Sequence, residues 1–289
     1  MLKQGISQLL KGIVYSNLYV VFVVGALVWQ TYLLVGEKVN ADYLSFVMSS
    51  TLFLYPFHRL IGALKMTPNK RSERIQWAYE HQIAMVPMII SGAILSLYYF
   101  FQMDAPLRWW IVPLALLSLG YSLPLPFKGW KYRRLRDVPY IKIYAIAFTV
   151  TAVTLLIPLL EFKIELEALV LLVFGRVLLV VALTIPFDIR DVDLDRPYGI
   201  KTIPLSLGVE RSVKLAVLLL SAFSIIHFLL YFFFETFTIY IFLALLISDF
   251  YAAVWLKKVK KDQSELFYVF AVEGVFVVQT LLVYLALFF

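Results

Sequence analysis

Four aspartates fall within the stretch Asp188-Ile-Arg-Asp191-Val-Asp193-Leu-Asp195-Arg196-Pro-Tyr-Gly199-Ile-Lys201-Thr202-Ile-Pro204, directly after an apolar run over 170–187 that Gly175 and Arg176 break. Such a cluster is costly at a membrane boundary, because like charges repel and each loses part of its hydration. On a helix turning about 100° per residue, Asp188, Asp191 and Asp195 share one face while Asp193 points away. Three carboxylates converging on one point suit a hard divalent cation, and Mg2+ held this way commonly also holds a substrate phosphate. Gly199 can end the helix, and Lys201 and Thr202 then offer donors to phosphate oxygens. On residue types alone, a solvated acidic loop between two spans is the alternative.

The pattern from Asp188 to Pro204 resembles the second aspartate motif of the UbiA-type intramembrane prenyltransferases, whose DxxxD corresponds to Asp191 and Asp195, with Asp188 one turn earlier. The resemblance implies transfer of a prenyl group from a prenyl diphosphate to a lipophilic or aromatic acceptor within the bilayer. It also implies Mg2+ as cofactor, with Asp188, Asp191 and Asp195 as the catalytic and metal-holding acids. Tyr121-Ser-Leu-Pro124-Leu-Pro126-Phe-Lys128 is similar to a segment at the end of the family's fourth helix, and Pro139-Tyr-Ile-Lys142 then opens the fifth. Tyr121, Lys128, Arg196 and Lys201 are the substrate-binding candidates from these segments. Lys128 and Lys142 either steer an anion or serve only to orient the chain in the membrane.

A first acidic cluster, close to Asn-x-x-x-Asp-x-x-x-Asp, is implied at the cytoplasmic end of the second helix. There the chain reads Leu52-Phe-Leu-Tyr55-Pro56-Phe57-His58-Arg59-Leu60-Ile-Gly62-Ala-Leu64-Lys65, with no Asp between Asp42 and Asp104. The first motif is missing. With it goes roughly half of the usual metal-ligand set, which elsewhere holds both sides of the diphosphate as the allylic cation develops. His58 and Arg59 stand where acids are expected and join the substrate-binding candidates, since an arginine can grip a diphosphate bidentately. Alternatively Arg59 snorkels to the membrane face or pairs with the Asp188–Asp195 cluster.

The elements that must position these residues are membrane helices. Of 289 residues, 62% are hydrophobic and 16% charged, with mean hydropathy +0.85, whereas soluble domains are about half apolar and a quarter charged. Apolar stretches long enough to span about 30 Å of hydrocarbon fall near 13–35, 43–64, 83–101, 107–126, 140–160, 167–187, 213–234, 237–256 and 266–288. The expected fold is therefore all-α: about nine transmembrane helices in a single bundle around a central cavity, one polytopic domain over 1–289. Continuous rather than alternating runs disfavour a β-barrel. Cysteine is absent, which excludes disulfide and thiolate chemistry, and the N-terminus lacks the pattern of a cleavable signal peptide.

Cations sit in alternate loops: Lys3 and Lys11; Lys65, Lys70, Arg71 and Arg74; Lys128 to Lys142; Arg190 to Lys214; and Lys257 to Lys261. The intervening loops hold only Lys38, Arg108 and Lys163. By the positive-inside rule the N-terminus is cytoplasmic and the aspartate cluster opens to the cytoplasm. The net charge of +7 thus reflects topology rather than a nucleic-acid partner. The resemblance implies a prenyl diphosphate, a lipophilic acceptor and membrane lipids as partners, and the expected location is the bacterial inner membrane.

Arg176, Asp249 and Glu273 lie within spans, where ionisable groups usually pair or line a polar cavity. At 1.5 Å per residue the two acids sit ~12 Å and the arginine ~18 Å from the cytoplasmic face. A bridge from Arg176 to Asp249 or Glu273 is expected, with one acid as general base the alternative. His81 and His227 lack metal-ligand partners in the sequence and read as structural. Besides a prenyltransferase, two other functions are open. One is a catalytically silent or repurposed relative binding a lipid or partner in the same cavity. The other is a transporter, which nine spans without paired broken helices fit poorly.

Overall fold

The computed structural model describes residues 2–67, 71–122 and 138–289, and every regular element among them is helical. We number the longer helices α1 (Leu2–Tyr15), α2 (Leu18–Leu34), α3 (Ala41–Lys65), α4 (Glu73–Glu80), α5 (Gln82–Gln102), α6 (Ala105–Ser122), α7 (Ile141–Leu159), α8 (Leu166–Arg190), α9 (Val209–Phe234), α10 (Ile239–Leu256) and α11 (Phe267–Ala286). Six of these, α5 and α7 to α11, are long and apolar enough to cross a membrane, or up to seven if the bent pair Gln8–Tyr15 and Leu18–Leu34 is one span. The chain is an integral membrane protein. Helices also cover the expected span near 43–64 and, as far as Ser122, the one near 107–126. The first of these, α3, is diluted by Asp42, Pro56, His58, Arg59 and Lys65.

Two compact units divide the chain: Met1–Gly25 with Asn40–Pro113, and Ala26–Val39 with Leu114–Phe289. In the first, α3 starts where the Asn40 side chain accepts a hydrogen bond from the Tyr43 amide at 3.1 Å, relieving an otherwise orphaned donor. Helices α3 and α5 touch almost backbone to backbone. A Cβ at Gly92 would lie 2.7 Å from the Phe53 nitrogen, so glycine permits the approach, as small residues do between membrane helices. The opposite stripe of α5, Ile83, Ile90, Ile94, Leu97 and Phe101, is exposed. An apolar face turned outward is what lipid requires. Between α1 and α2 the chain bends by 61° at Asn17, whose φ is +69°.

In the second unit α8 is the most buried span. Against it packs α9, close enough that a Cβ at Gly175 would meet Ile226 and Phe223 at 3.3 Å. Leu155, Leu172, Ile226, Leu245 and Val283 join in one apolar cluster. Both α7 and α11 contain a π-helical stretch, Ala152–Leu156 and Phe267–Glu273.

A chain of polar side chains crosses this apolar core. Arg176 Nη2 donates to Gln30 Oε1 at 2.7 Å, Gln30 Nε2 to Gln279 Oε1 at 3.1 Å, and Gln279 Nε2 to Ser248 Oγ at 3.0 Å. Asp249 accepts from Ser224 Oγ at 2.7 Å and faces His227 Nδ1 at 3.2 Å. The expected ion pair of Arg176 with Asp249 or Glu273 is thus replaced by an amide partner, and Arg176 Nη1 stays unpartnered among the described residues. Counting residues along a helix gives a group's depth but not the direction it faces, and here direction decided. His227 is structural, as its place beside Asp249 and under Phe223 at 4.0 Å indicates.

Candidate active site

Helix α8 delivers the aspartates. It ends at Arg190, Asp191 caps it, and a further helical turn over Val192–Asp195 leads into the 3-10 turn Arg196–Tyr198. Gly199, at φ +66°, then closes the segment. Its amide bonds the Arg196 carbonyl at 3.1 Å, and the Ile200 amide bonds the Asp195 carbonyl at 3.3 Å. This paired arrangement around a left-handed residue is a Schellman end, which a glycine adopts without the Cβ penalty. The following residues hold the start of α7. The Tyr140 amide donates to the Lys201 carbonyl at 3.1 Å, and the Tyr140 and Ser206 hydroxyls lie 2.9 Å apart.

That tie places Lys142 among the acids. Its Nζ lies 2.8 Å from Asp188 Oδ1, 3.2 Å from Asp195 Oδ2 and 3.8 Å from Asp191 Oδ2. Asp188 and Asp195 are buried, at 1% and 6% exposure. Asp191 is held from the other side by Arg190, whose Nε and Nη2 reach its two oxygens at 2.8 and 3.2 Å. Arg190 Nη1 continues to Glu265 at 3.0 Å, with the guanidinium over the Phe187 and Tyr268 rings. Asp193 points away, as its helical phase requires, and pairs with Lys261 at the surface.

The expected convergence of Asp188, Asp191 and Asp195 is therefore present, but what they surround is an ammonium. Among the described residues no group of three or more Asp, Glu, His or Cys is arranged to hold a metal ion. As arranged, the acids do not fit Mg2+. Six carboxylate oxygens are available. Two face Arg190 and two face Lys142, leaving one each on Asp188 and Asp195, where Mg2+ wants octahedral oxygen coordination.

The other candidates are spread more widely. Arg196 and Lys201 are exposed beside the cluster, with Lys201 contributing its carbonyl to Tyr140. The Thr202 hydroxyl is buried with no hydrogen-bond partner among the described residues. Tyr121 is half-buried in the last turn of α6, and Lys128 lies outside the described residues. Arg59 and His58 belong to the first unit. There Arg59 Nη1 donates to the Tyr15 carbonyl at 2.6 Å and to the Val14 carbonyl at 3.4 Å, the latter also accepting from the Asn17 amide at 3.2 Å, so the arginine is engaged at the end of α1. Arg190, Glu265 and Tyr140 were not legible as site residues. For Arg190 the adjacent Asp191 was the available signal; Glu265 carried none.

No family model matches the chain, and no curated relative matches it in sequence. Solved structures do. A UbiA homolog from Archaeoglobus fulgidus superposes with TM-score 0.62 at 15% identity, covering 96% of this chain and 100% of that one. The fold is that of the UbiA superfamily. A UbiA homolog from Archaeoglobus fulgidus bound to GPP and Mg2+ gives TM-score 0.58 at 13% identity, covering 96% and 100% of the two chains. A digeranylgeranylglyceryl phosphate synthase gives 0.54 at 17% identity, covering 96% of each. The UbiA resemblance read from Asp188–Pro204 thus extends to the fold of nearly the whole chain.

Proposed function

We propose that this UbiA-type chain binds a prenyl diphosphate and transfers its prenyl group to a lipophilic or aromatic acceptor inside the bilayer. The observation that carries this reading is the buried Asp188–Asp195–Lys142 cluster at the end of α8, on a fold shared with a homolog that holds GPP and Mg2+. In the same reading the chain is one polytopic domain over 1–289. It has nine spans around a central cavity, a cytoplasmic N-terminus, and the cluster at the cytoplasmic mouth.

Lys142 has three N–H donors, and its third proton is available to a phosphate oxygen. Arg196 and Lys201, exposed beside the cluster, supply further positive charge for a diphosphate that the acids alone would repel. In the reaction the prenyl C–O bond breaks and the diphosphate leaves with the electron pair. The acceptor's nucleophilic atom bonds to the prenyl carbon and releases its proton to a carboxylate or to water. Lys142 and the surrounding cations stabilise the charge that grows on the departing oxygen. Mg2+ belongs to this reading as a cofactor arriving with the diphosphate, whose oxygens supplement those the chain has left.

The missing first acidic motif favours a second reading, a silent relative that binds a lipid or partner in the same scaffold. Purified protein incubated with geranyl diphosphate, with and without Mg2+, separates the two. Binding and diphosphate release that fall in an Asp195→Asn variant support transfer. Tight binding without release supports the silent relative, and no binding at all refutes both forms of a diphosphate site.

A further inference from the structure

The lysine inside the acid cluster has a consequence separate from prenyl transfer. Lys142 reaches Asp188, Asp191 and Asp195 at 2.8, 3.8 and 3.2 Å, the position a shared cation would take. It comes from a different helix, and its placement is built. The residue two before it, Tyr140, adopts a left-handed φ of +60°, rare for an aromatic side chain. It is locked there by the Lys201 carbonyl and the Ser206 hydroxyl. The segment Gly199–Pro204, read from the sequence as a phosphate donor, therefore also positions the lysine through its backbone. Arg190 occupies both oxygens of Asp191, and Glu265 holds Arg190 in turn.

We propose that Lys142 is a tethered cation that sets the ion selectivity of this cluster: with its charge in place the three aspartates refuse a free divalent ion, and without it the same aspartates form a divalent-cation site. The physical reason is direct competition. A divalent ion within bonding range of Asp188 Oδ1 and Asp195 Oδ2 would sit against the ammonium, with two like charges at close range in a site water barely reaches. A lysine on its own helix, unlike a bound ion, does not dissociate. If Lys142 merely neutralised buried acids, removing its charge would destabilise the fold and create no metal site.

The metal alone is the probe, so the outcome does not depend on whether the chain transfers a prenyl group. Full-length protein in detergent is titrated with Mn2+ and bound ion is read by electron paramagnetic resonance. Wild type is expected to hold no ion at this cluster. Lys142→Met, which keeps the length and removes the charge, should bind Mn2+ roughly tenfold or more tightly, and adding Asp188→Asn should abolish the gain. Lys142→Arg, which keeps the charge, should behave as wild type. Equal Mn2+ binding by wild type and Lys142→Met, or a folded Lys142→Met that gains none, overturns the proposal. If Lys142→Met does not fold, the wild-type melting midpoint decides. Excess Mn2+ should leave it unchanged, and a rise that Asp188→Asn removes overturns the proposal equally.

Discussion

Asp191 and Asp193 differ by two positions in sequence, yet removing their charges should have unequal effects. Asp191 accepts the Arg190 fork at 2.8 and 3.2 Å and faces Lys142 at 3.8 Å. Breaking a buried pair outright typically costs about 3–5 kcal/mol, because a charge is left uncompensated. Here the loss is smaller: Arg190 keeps Glu265 at 3.0 Å, Lys142 keeps Asp188 and Asp195, and an asparagine still offers one carbonyl oxygen. About 1.5–3 kcal/mol remains for Asp191→Asn, the range of a hydrogen bond to a charged group. Asp193 is largely exposed and pairs with Lys261, so Asp193→Asn should cost at most about 1 kcal/mol, the range of surface ion pairs. Thermal unfolding of the two variants in detergent measures the difference, and high salt should erase any effect at Asp193 but not at Asp191. Equal destabilisation would refute the assignment of Asp191 to a buried cluster and Asp193 to the surface.

Three further outcomes follow from the packing and topology. Gly92→Val should destabilise by about 1–3 kcal/mol or more by driving α5 off α3. At Gly62, where a Cβ meets nothing within 4 Å, alanine should be neutral or gain about 0.5–1 kcal/mol; melting curves in which Gly92→Val unfolds like wild type would contradict the close contact. Gln30→Leu strands the buried Arg176 guanidinium and should cost about 1–3 kcal/mol or more, and adding Arg176→Met should restore part of it; a double variant no better than the sum of its parts would sink that account. Reporter fusions at the two termini should report opposite sides of the membrane, with the N-terminus cytoplasmic, and a shared side would refute the nine-span topology.

What the sequence determined by itself was local. The i, i+3, i+7 spacing puts Asp188, Asp191 and Asp195 on one face and turns Asp193 away, because helical phase depends only on residues a few positions apart. The left-handed end at Gly199 follows in the same way from the residue's lack of a Cβ. Apolar length alone marks a membrane protein, with six helices, or up to seven, long and apolar enough to cross among the described residues, and an absent first motif is visible as absent. The tertiary structure decided who meets whom across long separations. Lys142 reaches Asp195 across 53 positions, Arg190 reaches Glu265 across 75, and Arg176 reaches Gln30 across 146. Depth along a helix can be counted from the sequence, but the azimuth a side chain faces is set only when neighbouring helices pack. That is why the acid expected to hold Arg176 turned out to be an amide, and why the cation at the centre of the aspartates is Lys142, which the sequence offered only as a residue that steers an anion or orients the chain in the membrane.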